Sequence, residues 1–142
     1  MRVEEWLESV KKLDELIAGT QAEREQILAM ATRMGGEMDG MPHAKGNISD
    51  PTGNGGVKLA MLAKDLDRQI DEYKARKQEV VDALKRLPAR EYGVLHRIYI
   101  LFMTREQIAE EMNYSTVQVW RIKKRAIWRL EGMVDLRGVS YV

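Results

Sequence analysis

The stretch "TREQIAEEMNYSTVQVWRIKKRAIWRL", residues 104–130, contains two helix-start signals in close succession. Thr104 is followed three residues later by Gln107, and Ser115 is followed three residues later by Gln118. This is the spacing of a capping box, in which each side chain of the pair accepts a hydrogen bond from the backbone N–H of the other residue. The stretch therefore predicts two helices in succession, each with its own cap.

These signals predict a short helix over 105–112 and a second helix from 116 to about 131. Asn113 suits the left-handed conformation that ends the first helix, and Gly132 is a natural stop for the second. Two capped helices joined by a tight turn form the helix-turn-helix pattern. Pro88 can open a further helix before them. Phe102 is expected to be buried, and the apolar residues on one side of that helix are Val94, Leu95, Ile98, Leu101 and Phe102.

The second helix of the pattern is cationic. Five basic residues and no acidic residue lie between Ser115 and Leu130. The whole chain of 142 residues has a net charge of only +1, whereas residues 115–142 have six basic and two acidic side chains, a local charge of +4. Such a local excess attracts a polyanion.

The faces of the second helix follow from about 100° of rotation per residue. One face is apolar and is predicted to pack on Ile108, Ala109 and Met112 of the preceding helix; it consists of Val119, Ile122, Ala126 and Leu130. The opposite face is predicted to be exposed, and it carries Val117, Gln118, Arg121, Lys124, Arg125 and Trp128.

A recognition helix contacts DNA bases mainly through its N-terminal turns. The candidates for base contact are therefore Thr116, Val117, Gln118 and Arg121, of which Thr and Val can touch a thymine methyl group. Candidates for phosphate contact lie further along the helix, at Lys124, Arg125 and Arg129. Trp120 is expected mainly to pack structurally, with DNA contact as the alternative, and Trp128 is expected to pack on another helix or subunit. Lys123 falls near the edge of the core.

The stretch "IAEEMNYSTVQVWRIKKRAIWRL" resembles the C-terminal helix-turn-helix of bacterial sigma factors, region four. The positions that match this pattern are Ile108, Ala109, Glu110, Met112, Ser115, Val119, Ile122, Ala126, Ile127 and Leu130. The resemblance implies contact with a −35 promoter element through the positions held here by Thr116, Val117, Gln118, Trp120 and Arg121. The chain departs from the pattern at Val117 and Trp120, where charged residues are usual, and at Phe102, where glycine is usual.

The two long amphipathic segments that precede this motif extend the resemblance. The whole layout is similar to phage regulators of the RinA and ArpU type, which implies a transcriptional regulator of phage or prophage late genes. Steps of alternately three and four residues follow one stripe along each helix. Over 3–34 this stripe is apolar at eight of ten positions, with Thr20 and Arg24 as the exceptions. Over 59–87 it is apolar at eight of nine positions, with Lys77 as the exception. Each segment predicts a long helix that must bury its apolar stripe, either in a hairpin within the chain or in a dimeric coiled coil.

The expected architecture is all-α, with two long helices followed by a three-helix helix-turn-helix module. Residues 1–87 form the long-helix region, with a flexible Gly/Pro-rich loop at 35–56, residues 88–132 form the sigma-like domain, and residues 133–142 form a tail. The chain has no cysteine, and no apolar run approaches the length of a membrane span. We expect a location in the cytoplasm of a bacterial host cell.

The expected function is sequence-specific binding of double-stranded DNA by a transcriptional regulator that activates late genes. The expected partners besides DNA are host RNA polymerase and a second copy bound through the long helices, with no membrane. The alternative is a structural DNA-packaging adaptor, an oligomer like the small terminase. No nucleophile–base pair, paired catalytic carboxylates or metal-ligand cluster stands out, so we expect no enzyme activity, no cofactor and no metal.

Overall fold

The computed structural model of the chain describes residues 1–39 and 55–138. The helices are α1 (Val3–Asp39), α2 (Gly55–Lys85), α3 (Ala89–Leu95), α4 (Arg105–Met112) and α5 (Thr116–Glu131), and α3 continues into one π-helical turn, His96–Ile100. The expected all-α fold, two long helices followed by shorter ones, is confirmed. Among the described residues, no helix combines the length and the apolar character needed to cross a membrane.

The bounds of α4 and α5 agree with the capping boxes, whereas those of the long helices differ from the prediction. Residues 35–39 continue α1, and residues 55–56 open α2, although all seven were expected to belong to a loop. A glycine inside a helix costs only about 1 kcal/mol relative to alanine, so a long helix can continue through Gly35 and Gly36. The other residues of the expected loop, 40–54, lie outside the described residues.

The chain divides into two compact units. The first unit combines Met1–Asp14 with Ala75–Val142, and in it the start of α1 runs antiparallel to the end of α2. Asp14 forms an ion pair there with Lys77, at 2.8 Å between the carboxylate and ammonium groups. Lys77 is a charged residue in the apolar stripe of α2. Because it lies opposite its counterion Asp14, it does not interrupt the packing of the helices.

The second unit, Glu15–Lys74, contains the remaining parts of the two long helices. Arg24 forms an ion pair with Asp67 in this unit, and Thr20 is buried. Both ion pairs, Asp14–Lys77 in the first unit and Arg24–Asp67 here, join residues whose numbers add up to 91, the relation expected for antiparallel neighbours. Within each unit the segments of α1 and α2 therefore pair with each other as the two arms of a hairpin, one of the two arrangements that the sequence allowed.

A first hydrophobic cluster joins the two long helices to the C-terminal helices of the first unit. Because it contains Trp6, Leu7, Val80 and Leu84, it lies between α1 and α2. Its other buried members are Val3, Val10, Ala83, Leu87, Leu95, Tyr99, Ala126, Ile127, Leu130 and Leu136. The three α5 residues in this list show that the C-terminal half of α5 packs against the base of the helical hairpin.

A second cluster lies within the helix-turn-helix module. Val94 of α3, Ile108 and Ala109 of α4 and Val119 of α5 are buried together, and Ile122 packs against them. Val119 and Ile122 thus pack on α4 as predicted. The same prediction is wrong for Ala126 and Leu130, which belong to the first cluster. Helical periodicity identifies the buried face of a helix but not the neighbour that covers each turn of it.

The turn between α3 and α4 departs from the predicted packing. Phe102 is 46% exposed, so the expectation that it is buried is wrong, and Leu101, from the same apolar side, is 54% exposed. The backbone N–H of Leu101 donates to the carbonyl of His96 over five residues, which marks the π-helical turn. Because this turn is wider than an α-helical one, residues beyond it no longer follow the α-helical face, and Tyr99 is buried instead.

Phe102 also has a positive φ, +54°, at the position where the sigma-like pattern has glycine. A left-handed backbone costs an L-residue about 1–2 kcal/mol, and glycine avoids this cost. We expect Phe102→Gly to leave the free energy of unfolding unchanged or to raise it by up to about 1 kcal/mol in urea denaturation. Leu101→Gly is the matched control, because Leu101 has a right-handed backbone, and it should destabilise by about 1 kcal/mol. Equal losses for the two variants would contradict the strain at Phe102.

The phenol of Tyr99 is expected to lose its proton at a higher pH than an ordinary tyrosine. Burial, with a smaller contribution from Glu4 and Glu8, raises the pKa of its phenol to about 12 from an ordinary value of 10.0. The folded state therefore retains this proton, and the resulting stabilisation is complete below pH 10 and is lost as the pH rises towards 12. Subtracting the phenolate absorbance titration of Tyr99→Phe from that of the native protein should isolate one group with a pKa near 12. A difference curve centred at pH 10 would contradict the burial of Tyr99.

Candidate nucleic-acid interface

Both capping boxes form as the sequence predicts. The hydroxyl of Thr104 accepts from the N–H of Gln107 at 3.2 Å, and the hydroxyl of Ser115 accepts from the N–H of Gln118 at 3.1 Å. Each glutamine amide oxygen accepts in return from the backbone N–H of its capping residue, at 2.9 and 3.0 Å. Asn113 has φ +59° and ψ +43°, the left-handed conformation that ends α4. These local bonds determine where α5 begins.

The eight residues of α5 predicted to contact DNA are all exposed; they are Thr116, Val117, Gln118, Trp120, Arg121, Lys124, Arg125 and Arg129. At about 100° per residue they fall on two edges of the outer face. Gln118, Arg121, Arg125 and Arg129 form the edge next to α3, which we call the arginine edge. Thr116, Val117, Trp120 and Lys124 form the edge next to the start of α4, which we call the tryptophan edge.

The arginine edge faces the first turn of α3 across a cleft of about 390 Å³. The cleft is lined by Pro88, Arg90, Glu91, Gln118, Arg121, Ile122, Arg125 and Arg129. Its four arginines and single glutamate leave a formal charge of +3. Because guanidinium groups bind phosphate oxygens in a bidentate geometry, this cleft suits an anionic ligand that carries phosphate.

Arg129 is held on one side of the cleft by Glu91. Its Nε donates to Oε2 of Glu91 at 2.8 Å and its terminal NH2 group donates to Oε1 at 3.3 Å. The Glu91 side chain is only 7% exposed, whereas that of Arg129 is 42% exposed. This bidentate pair joins α3 to α5, so Arg129 has a structural partner in addition to its predicted role as a phosphate contact, which stays a prediction.

Arg90 belongs to the cleft but was not among the residues predicted from the sequence. Its guanidinium carbon lies 5.6 Å from the centre of the Tyr114 ring, in the turn between α4 and α5. No spacing rule connects the first turn of α3 with α5, because the two meet only through tertiary packing. A signal that could have identified Arg90 is the basic charge of the first turn of a helix that precedes the motif.

The tryptophan edge borders a shallow depression of about 310 Å³. Arg105, Thr116, Val117 and Trp120 line it. Val117 is 54% exposed and Trp120 is 45% exposed, so the structural packing first expected for Trp120 is wrong. The ammonium of Lys124, one turn further along α5, lies 5.4 Å from the centre of the Trp120 ring and forms a cation–π contact with it.

The remaining aromatic and basic residues of α5 lie outside both edges. Trp128 is 71% exposed, so it does not pack on a neighbouring helix among the described residues, and its packing on a second subunit stays a prediction. Lys123 is half-buried, at the edge of the core as predicted. Over the described ranges, no three His, Cys, Asp or Glu side chains are grouped so that they could hold a metal ion.

Replacing Arg129 and replacing Glu91 should lower the free energy of unfolding by different amounts, although the two residues form one ion pair. Arg129→Ala leaves a buried carboxylate without a counterion, which should lower the free energy of unfolding by about 3 kcal/mol. Glu91→Gln should cost less, about 1 kcal/mol, because Arg129 is free to extend into water and the amide retains one acceptor. The double variant should regain part of the loss caused by Arg129→Ala. Urea denaturation of the three variants measures these differences, and equal losses for the two single variants would contradict the asymmetry.

Comparison with known proteins gives one family and no close relative of known activity. A model of the family described as "Protein of unknown function (DUF1492)" matches residues 51–131, which include α2–α5 and both edges of the outer face of α5. No curated protein and no solved structure matches the chain. Because the match covers more than half of the 142 residues, the chain belongs to the DUF1492 family.

Proposed function

We propose that this protein is a sequence-specific double-stranded DNA-binding regulator of transcription, encoded by a phage or prophage and acting on late genes in the bacterial cytoplasm. The observation that carries the proposal is the outer face of α5. It begins at a capped N-terminus, is exposed throughout its first two turns, and borders a cleft with a formal charge of +3. A helix with these properties suits the major groove, because it presents base-reading side chains at its start and cations beside them.

The arginine edge supplies the electrostatic part of the proposed complex. Arg90 and Arg125 approach the cleft from α3 and α5, respectively, and are the strongest candidates for phosphate contact. Arg121 lies nearer the start of α5, where a guanidinium can bind the O6 and N7 atoms of guanine. Arg129 contributes charge to the cleft while it remains bound to Glu91.

The capping box restricts which DNA contacts the Gln118 side chain can make in this complex. Its amide oxygen already accepts from the N–H of Ser115, so the amide nitrogen is the group that remains directed to a partner. A bidentate contact with adenine uses both amide atoms, whereas a single donated bond suits any acceptor on a base edge. We therefore assign Gln118 a donor role and the main polar discrimination to Arg121.

The transcriptional part of the proposal is supported by the resemblance of 108–130 to region four of sigma factors and of the whole layout to regulators of the RinA and ArpU type. Host RNA polymerase is the partner that this resemblance implies. Because α1 and α2 already pair within the chain, a homodimer would use surfaces of the long helices other than their paired stripes.

The first test is selection of bound sequences from a random duplex library, followed by gel-shift titration of the selected duplex. Affinity should fall steeply with salt, with a log–log slope of about −3.6 if about four phosphates are neutralised. Replacing both Arg121 and Lys124 by alanine should abolish specific binding. Arg125→Ala should weaken all sequences alike and reduce the magnitude of the slope by about 1.

The matched control is the double variant Lys58→Ala and Lys64→Ala. It removes the same charge from exposed positions of α2 and should leave affinity and sequence preference unchanged. Failure to enrich any sequence, or unchanged binding after loss of both Arg121 and Lys124, would contradict the proposed function.

A further inference from the structure

The tryptophan edge includes an apolar surface, formed by Val117 and Trp120, that is not part of the hydrophobic core of the described residues. Val117 and Trp120 lie in the first two turns of α5, and neither belongs to the two hydrophobic clusters. The α5 residues that do belong to the clusters are all buried; they are Val119, Ala126, Ile127 and Leu130. An exposed tryptophan beside an exposed valine has a free-energy cost in water that a bound ligand would remove.

The charges around this surface restrict the ligand. Arg105 lines the depression with Val117 and Trp120, and Lys124 contacts the Trp120 ring. Arg121, on the adjoining arginine edge, lies one helical turn beyond Val117. No acidic side chain lines the depression. An apolar surface surrounded by three cations suits a ligand that is a polyanion overall but presents a small apolar group at the point of contact.

Double-stranded DNA has one such group in its major groove. The base edges exposed there are hydrogen-bond donors and acceptors, and the 5-methyl group of thymine is their only apolar feature. We propose that Val117 and Trp120 form a binding surface for the 5-methyl group of thymine, which makes them specificity-determining residues. This inference rests on the proposed function, because it requires the N-terminal turns of α5 to enter the major groove.

Lys124 is a positioning residue for this surface. Its ammonium, one turn beyond Trp120, lies against the indole ring at 5.4 Å, and a pair spaced by four residues lies on one face of a helix. The contact restrains the ring along α5 before DNA is bound. Less rotamer entropy is then lost when the methyl group meets the ring.

The test uses the full chain and the duplex obtained by selection. Each thymine of the selected site is replaced in turn by uracil, which removes only the methyl group. At one position or two adjacent positions the dissociation constant should rise about fourfold, the effect of about one buried methyl group. Replacement by 5-bromouracil, which carries an apolar atom of similar size, should restore the affinity.

The variants Val117→Ala and Trp120→Ala assign the effect to this surface. Both residues are exposed on a helix, so their truncation should preserve the far-ultraviolet circular dichroism spectrum. In each variant the ratio of the affinities for thymine and uracil should fall to about 1 at the sensitive position. Val57→Ala is the matched control, since it truncates an exposed valine of α2 and should retain the fourfold ratio.

The outcomes separate this inference from the function on which it rests. Absence of any DNA binding would overturn both. Specific binding to a site without thymine, or with no position sensitive to uracil, would overturn the methyl surface and leave the regulator intact. A fourfold ratio that persists in both variants would also overturn it, because the methyl group would then be read elsewhere.

Discussion

The inner face of α5 is shared between two hydrophobic clusters, and the arrangement of the candidate interface depends on this division. Val119, near the start of the helix, is buried with α3 and α4, whereas Ala126 and Leu130 are buried with the start of α1 and the end of α2. Rotation of α5 about its axis would uncover apolar surface in both clusters at once. The ion pair between Glu91 and Arg129 adds a polar connection to α3. The direction of the outer face is therefore a consequence of core packing.

A helix held in this way presents two chemically different edges. The arginine edge borders a cleft that combines positive charge from α3 and α5, while the tryptophan edge lies next to the start of α4 and exposes apolar side chains. In the proposed complex the arginine edge attracts phosphate and makes the polar contacts with bases, whereas Val117 and Trp120 of the tryptophan edge make the apolar contact. The departures from the sigma-like pattern at Val117 and Trp120 lie together on one edge.

The capping boxes and the bounds of α4 and α5 were predictable because the interactions that produce them are local. Ser115 and Gln118 are three residues apart, so their reciprocal bonds follow from spacing alone. The exposure of Leu101 and Phe102 was not predictable from periodicity, because the π-helical turn before them changes the angle between successive side chains. The neighbours of Ala126 and Leu130 were not predicted correctly, because the periodicity of a helix shows which residues are buried but not which other helix covers them.

The sequence by itself determined the helical class, the starts of α4 and α5, the exposed cationic face and the apolar stripes of the long helices. Only the tertiary structure decided what those surfaces meet. It paired segments of the long helices within one chain, brought Arg90 to the cleft beside the arginine edge, and bound Arg129 to Glu91, 38 residues earlier. The physical reason is the range of the interactions. Caps and helical faces depend on residues three or four apart, whereas ion pairs and clefts between elements depend on how separate helices bury their apolar faces together.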